Sequence, residues 1–178
     1  VRAHLRSEAL SGTHVPELDV VREAVHDLEA GGLYPDIALS LSVHAPLRRS
    51  EHVEQAIDSL LVHNVDVVVS TFEDLHLHYI HSEHGMAPLN PAMHRQIRVE
   101  REALYTDNGA IRVLWREVLD TDDAVARRVG HIVMPMWESF QIKSPEDVWL
   151  IEQILQHRRN DRILLPVAWA EKEAGWTS

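Results

Sequence analysis

The amino-acid sequence predicts an α/β fold, and three observations carry that prediction. The aliphatic and β-branched run Ile37-Ala38-Leu39-Ser40-Leu41-Ser42-Val43 reads as a strand buried on both faces, as in a parallel sheet. A helical pattern follows it, with Val53, Ala56, Ile57, Leu60 and Leu61 on one face. A second β-branched run, Val65-Asp66-Val67-Val68-Val69-Ser70-Thr71, completes a strand-helix-strand unit whose crossover is expected to be right-handed.

The elements follow in order. Residues Val1 to Pro16 show no period and read as a loop. From Glu17, the apolar set Leu18, Val21, Val25 and Leu28 recurs at helical spacing and stops at Gly31-Gly32, a pair that ends helices readily. Tyr34-Pro35-Asp36 turns the chain into the first strand. Ser50 is a good N-cap for the next helix, which should end near His63-Asn64. The corner between them, His44 to Arg49, lies beyond the carboxyl end of a strand, where α/β sheets place their ligands. A plain strand-to-helix corner is the competing reading.

From Phe72 to Met93 the pattern breaks into polar, His-rich sequence, too long for a routine loop. Beyond it, Ala110 to Leu114 reads as a short strand, Val118 to Val129 as a helix and His131 to Met136 as a strand. Ser144-Pro145-Glu146-Asp147 marks a helix start, with an N-cap serine, proline at the first position and an acid at the third. Val148, Ile151, Ile154 and Leu155 supply that helix's apolar face, and the tail 160–178 offers one further strand at Ile163 to Val167.

Length and composition bound the rest. A chain of 178 residues, 45% hydrophobic and 25% charged, suits one soluble domain, 1–178, with a real core. No apolar run approaches the roughly 20 residues that span a bilayer, and Val1 to Arg6 carry no signal-peptide core, so no membrane association is expected. The absence of cysteine excludes disulfides and thiolate chemistry and fits a reducing, cytoplasmic compartment. A formal charge of -11 argues against nucleic acid as a partner. An anionic ligand would need a local basic patch, for which Arg48 with Arg49, or Arg95, Arg98 and Arg101, are the candidates.

Several motifs, taken in order, resemble the acylneuraminate cytidylyltransferase family, the CMP-sialic acid and CMP-nonulosonate synthetases. Arg6-Ser7-Glu8-Ala9-Leu10 resembles its Arg-Pro-x-x-Leu segment, and Leu18-Asp19-Val20-Val21 the start of the following helix. Leu41-Ser42-Val43-His44-Ala45-Pro46-Leu47-Arg48 resembles its Leu-Gln-Pro-Thr-Ser-Pro-Leu-Arg signature. Arg98-Val99-Glu100, then Tyr105-Thr106-Asp107-Asn108-Gly109-Ala110-Ile111, resembles Arg-Gln-Asp followed by Tyr-x-x-Asn-Gly-Ala-Ile. Gln141-Ile142-Lys143-Ser144-Pro145-Glu146-Asp147 stands where the family has Asp-Ile-Asp-Thr-x-x-Asp.

The resemblance implies a Rossmann-like nucleotidyltransferase fold, with a mostly parallel sheet flanked by helices and an inserted dimerisation and substrate arm over 72–112. It implies transfer of CMP from CTP to a sialic-acid-type sugar acid with release of pyrophosphate, aided by Mg²⁺, in a homodimer. Arg6, Ser42, His44, Arg98, Tyr105, Asn108 and Gly109 then become candidates for substrate or nucleotide binding, and Arg48 and Lys143 for catalysis. The family's nucleotide-binding loop and first strands have no counterpart in these 178 residues, so an N-terminal part of the sheet is expected to be missing. Where the family places two metal-binding aspartates, Gln141 and Lys143 stand, and a protonated lysine ligates no cation. Either the Lys143 ammonium replaces the ion as phosphate counter-charge, or catalysis is lost and an inactive, dimerising domain remains. Asn108 and Gly109 also have a purely structural reading, as turn formers.

Thirteen histidines are unusual for this length. His76, His78, His81 and His84 form a local cluster, and imidazoles could bind Zn²⁺, Ni²⁺ or Cu²⁺ if three or four converged. A metal-binding module is therefore a further alternative, set against a polar surface excursion.

Overall fold

The computed structural model describes residues 4–12, 14–92, 96–97, 100–121 and 128–159. Among them the chain forms helices α1 (Glu17–Ala30), α2 (Ser50–His63) and α3 (Pro145–Arg159). The strands are β1 (Ile37–Leu41), β2 (Val67–Asp74), β3 (Tyr79–Ser82), β4 (Gly85–Pro88), β5 (Leu104–Trp115) and β6 (Val129–Val133). The fold is mixed α/β, as the strand-helix-strand pattern predicts.

The expectation of a mostly parallel sheet needs correction. The four-stranded sheet has the order β1-β5-β2-β6. β5 lies between β1 and β2 and pairs antiparallel with both, so among the described residues the only hydrogen-bonded parallel pair is β2 with β6. β1, α2 and β2 do form a crossover between strands running the same way, but those strands are not neighbours. The local pattern of a crossover cannot reveal a strand that arrives later and fills the gap.

Each face of the sheet carries one core. On one, α2 lays Ala56 and Leu60 on Val68, Val113 and Ile132, with Met134 beside them. Leu60 is fully buried, which is worth roughly 1.5–3 kcal/mol for a side chain of this size. On the other, α1 sets Val25 against Ala38, Val67 and Leu114, with Val118 and Leu119 closing the side. The periodicity of α1 and its stop at Gly31 are as expected, and the Gly31 amide bonds back to the Asp27 and Leu28 carbonyls. α2 ends at Asn64, which takes the left-handed conformation that asparagine tolerates.

Two elements differ from the sequence reading. β5 begins at Leu104 rather than Ala110, because its polar first half pairs with Phe72 to Asp74 at the end of a longer β2. At the two described ends of the helix expected over 118–129, Arg116–Asp120 forms a 3₁₀ turn and Val129 belongs to β6. The intervening 122–127 and the tail 160–178 lie outside the described residues. Within the expected arm, β3 and β4 make a separate antiparallel hairpin. No helix among the described residues is long and apolar enough to cross a membrane.

Candidate functional site

The site is built where β5 breaks register with β2. Val69 pairs with Arg112 and Thr71 with Asp107, so Ser70 alone faces the four residues Asn108 to Ile111. Such an excursion leaves ladder groups without partners, and local side chains supply them. The Asp107 carboxylate accepts the Gly109 N–H at 2.7 Å, and Asn108 Oδ1 accepts the Ala110 N–H at 3.1 Å. Both are side-chain-to-backbone turns of the kind Asp and Asn favour. Ser70 Oγ accepts the Ile111 N–H at 2.8 Å and donates to Asn108 Oδ1 at 2.5 Å. Gly109 carries the excursion at φ 61°, where a side chain would be strained.

Asn108 is 3% exposed and uses its donors as fully as its acceptor. Its amide nitrogen donates to Ser139 Oγ at 2.8 Å and approaches Met134 Sδ at 3.4 Å. The segment after β6 thus docks on the excursion. Gln141 donates its side-chain amide to the Asn108 carbonyl, and the Ile142 N–H donates to the His44 carbonyl at 2.8 Å. The Ser42 N–H in turn donates to the Ala110 carbonyl at 3.3 Å. Three motifs separated by more than 30 residues each, at His44, Asn108-Gly109 and Gln141-Lys143, are therefore joined by hydrogen bonds.

Beside this junction lies an open cavity of about 350 Å³, lined by Phe72, Thr106, Asp107, Gln141, Lys143 and Asp147 among others. Phe72 near the carboxyl end of β2 and Ser139 to Gln141 after β6 put it at the carboxyl-terminal side of that parallel pair, the side favoured for ligands in α/β sheets. Asp147 caps α3 by accepting the Lys143 and Ser144 N–H groups at 2.9 and 2.8 Å. The Lys143 amide is the main reason its carboxyl lies below the ordinary aspartate range, and burial opposes the shift. A larger concavity, about 750 Å³, lies at the opposite end of the sheet between Asp36, Asn64, Asp66 and Trp115. Its two arginines are already bound, Arg116 to Glu29 and Asp120, and Arg128 to Asp66. The smaller cavity is the better candidate, because its lysine makes no ion pair among the described residues.

The predicted residues divide accordingly. Ser42, His44, Asn108, Gly109 and Lys143 come together at the junction, but of these only Asn108 and Lys143 line the cavity, and Asn108 and Gly109 act there as builders of the backbone. Arg48 donates to the Ser42 and Ala45 carbonyls, the latter at 2.7 Å, and so braces the corner with its own guanidinium. Burial lowers its pKa from the ordinary arginine value. Tyr105 does not line the cavity: its ring stacks on His131, with centroids 4.7 Å apart and planes tilted by 48°. Arg6 is exposed beside α1, where the Ser7 N–H donates to Glu23 at 3.4 Å. Arg98 and Arg95 fall outside the described residues, and Arg101 donates to the Leu75 carbonyl at 3.2 Å.

The histidine cluster does not converge as a metal site. His76 and His78 both turn to one carboxylate, Asp74, at 2.5 and 3.2 Å. The His76 backbone N–H is the first cause that holds the Asp74 carboxyl below its ordinary range. His81 lies on β3 and His84 at the hairpin turn. Among the described residues, no group of three or more His, Asp or Glu side chains could hold a metal ion. The residues at the site do not fit Mg²⁺ either. Gln141 is committed as a donor, Lys143 is a cation, Asp107 accepts the Gly109 N–H and pairs with Arg112, and one oxygen of Asp147 accepts two backbone amides, so no set of converging carboxylates is left for the ion.

Four residues that the sequence reading does not mark as site candidates shape this region: Ser70, Ser139, His52 and Glu138. A serine inside a β-branched strand is the sole signal any of them left.

The arrangement is that of an α/β protein with an open cavity beside the carboxyl-terminal part of β2 and the segment after β6. Among solved structures, the fold resembles that of 4-diphosphocytidyl-2C-methyl-D-erythritol synthase from Anaerococcus prevotii DSM 20548. The TM-score is 0.57 at 12% identity, over 80% of this chain and 67% of that one. At that identity the likeness establishes the fold and nothing finer. No protein-family model matches the chain, and no curated protein sequence does.

Proposed function

We propose that this chain is a cytidylyltransferase-type domain, which binds CTP in the cleft beside Lys143 and transfers CMP to a sialic-acid-type sugar acid, releasing pyrophosphate. The observation that carries the reading is the hydrogen-bonded junction of the His44 corner, the Asn108-Gly109 excursion and the Gln141-Lys143 segment, of which Asn108, Gln141 and Lys143 line that cleft. The fold of a synthase named for a diphosphocytidyl product supports it. In this reading the Lys143 ammonium is the counter-charge for the phosphates, Ser42 and His44 support the cleft from the neighbouring corner, and Arg48 keeps that corner in shape. Attack by the sugar hydroxyl forms the new P–O bond as the bond to pyrophosphate breaks, and the hydroxyl proton leaves to solvent.

A second reading has its own support. Gln141 is spent on the Asn108 carbonyl, and the two carboxylates that line the cleft are engaged by the protein's own backbone, Asp107 by the Gly109 N–H and Asp147 by the Lys143 and Ser144 N–H groups. A catalytically inactive domain of the same fold, dimerising through the β3–β4 hairpin, fits that observation. The hairpin exposes Ile80 and Met86 at 51% and 60%, and a two-stranded hairpin alone is marginally stable.

Calorimetric titration with CTP, with and without Mg²⁺, separates the two. Micromolar binding that needs no Mg²⁺ and is lost in Lys143→Ala supports the transferase reading, and a pyrophosphate-release screen over sugar acids follows. No heat at millimolar CTP, with a dimer in sedimentation, supports the inactive domain.

A further inference from the structure

A buried charge cluster with no place in the transfer chemistry lies directly behind the candidate cleft. Glu138, in the 3₁₀ turn after β6, is fully buried. A carboxylate without water must be paired, because an isolated buried charge is far too costly. Arg49 supplies one side, with Nε 3.2 Å from Oε1 and Nη2 3.4 Å from Oε2. His52 supplies the other, with Nε2 3.0 Å from Oε2 and only 4% of its surface exposed.

The imidazole is itself oriented. The Arg49 N–H points at His52 Nδ1 at 3.2 Å, so Nδ1 holds a lone pair and Nε2 carries the hydrogen donated to Glu138. His52 sits at the third position of α2 and accepts the amide of the residue before the helix, which is half of a capping box. The start of α2 is thereby locked to the segment that follows β6.

That segment leads to the cleft within a few residues. Ser139 binds Asn108, Gln141 binds the Asn108 carbonyl, Ile142 binds His44, and Lys143 follows. We propose that Glu138 is a positioning residue, whose bonds to Arg49 and His52 fix the height of the 138–143 segment on the sheet and hence the place of the Lys143 ammonium in the cleft. The arginine beside the corner is thus not a ligand contact, as the sequence suggests, but one jaw of a clamp. The ligand arm of this inference rests on the nucleotide reading above, whereas the loop arm does not.

The test uses the full chain and two readouts. In Glu138→Ala, the Ile142 amide-proton resonance should move upfield as its bond to His44 is released, while amides of β2 keep their positions. A residue that merely stabilised the fold would lower Tm without moving that resonance. CTP affinity measured well below Tm should fall by about tenfold, the loss typical of one charged hydrogen bond, and Glu138→Gln, which keeps an acceptor of the same length, should restore part of it. If Glu138→Ala does not fold, Arg49→Ala removes the half-exposed jaw and gives the same reading. An unmoved Ile142 resonance in a folded variant overturns the clamp. Absence of CTP binding in the unmodified chain would overturn the nucleotide reading alone, and the resonance would still decide the clamp.

Discussion

Asn108→Ala is the most informative single change, because one buried amide there serves four partners. Its removal leaves the Ala110 N–H without the acceptor at 3.1 Å, and an unsatisfied buried donor costs about 1–3 kcal/mol. The two hydroxyls fare better: Ser70 can turn to the Ile111 carbonyl at 3.2 Å, and Ser139 keeps the Pro135 carbonyl at 3.1 Å. The lost side-chain volume adds about 1 kcal/mol, at the low end for truncations that leave a partly filled cavity. The sum is about 2–4 kcal/mol, or a fall of about 5–15 °C in Tm for a chain of this length. Urea unfolding followed by circular dichroism measures it. A stability within about 0.5 kcal/mol of the unmodified chain would mean that Asn108 does not hold the excursion together, and the account of the site as one bonded junction would fail.

Gly109→Ala should cost about 1–2 kcal/mol, because φ 61° strains any L side chain and the new Cβ would sit 3.0 Å from Gln141 Nε2. A thermal melt no lower than that of the parent chain would contradict it. The acid limb of stability offers a third test. Arg116 donates to Glu29 at 2.5 and 2.8 Å and to Asp120 at 2.6 Å, and its hydrogen bonds are the first cause lowering both carboxyls from their ordinary 4.5 and 3.8. A carboxyl depressed in the folded state contributes stability above its unfolded value and loses it as pH falls through the folded one. Arg116→Met should therefore lose less stability than the parent between pH 5 and pH 2, in urea titrations at each pH (about the range of acid titration for such groups). Equal losses in the two proteins would remove this ion network from the account.

The fold was legible where a local rule decides it. Gly31-Gly32 ends α1, Ser144-Pro145-Glu146-Asp147 opens α3, and the β-branched runs become β1 and β2. It was illegible where a distant strand decides. Tyr105, Thr106 and Asp107 look polar and loop-like, yet they extend β5 because Phe72, Glu73 and Asp74 extend β2 to meet them. No window of sequence contains both halves of that pairing. The same holds for Val129, whose place in β6 follows from its neighbour Val67 rather than from the helical spacing of the residues before it.

The candidate site shows a subtler limit. The sequence singles out Ser42, His44, Asn108, Gly109 and Lys143 as groups that would touch a ligand and Gln141 as a replaced metal ligand; these gather in one place, whereas the candidates Arg6 and Tyr105 lie apart from it. Yet Asn108, Gln141 and Arg48 direct their polar atoms at the protein itself. A motif fixes which residues meet, but hydrogen-bond capacity is finite, and only the structure shows where it is spent. Once Asn108 is saturated and Gln141 bonded to its carbonyl, the junction has few polar atoms left for a ligand. Lys143 retains its ammonium and His44 an exposed ring. His44 stands outside the cleft lining, so any nucleotide recognition there rests first on the Lys143 ammonium, with Thr106 on the same wall, and on the loop clamp proposed to position that lysine.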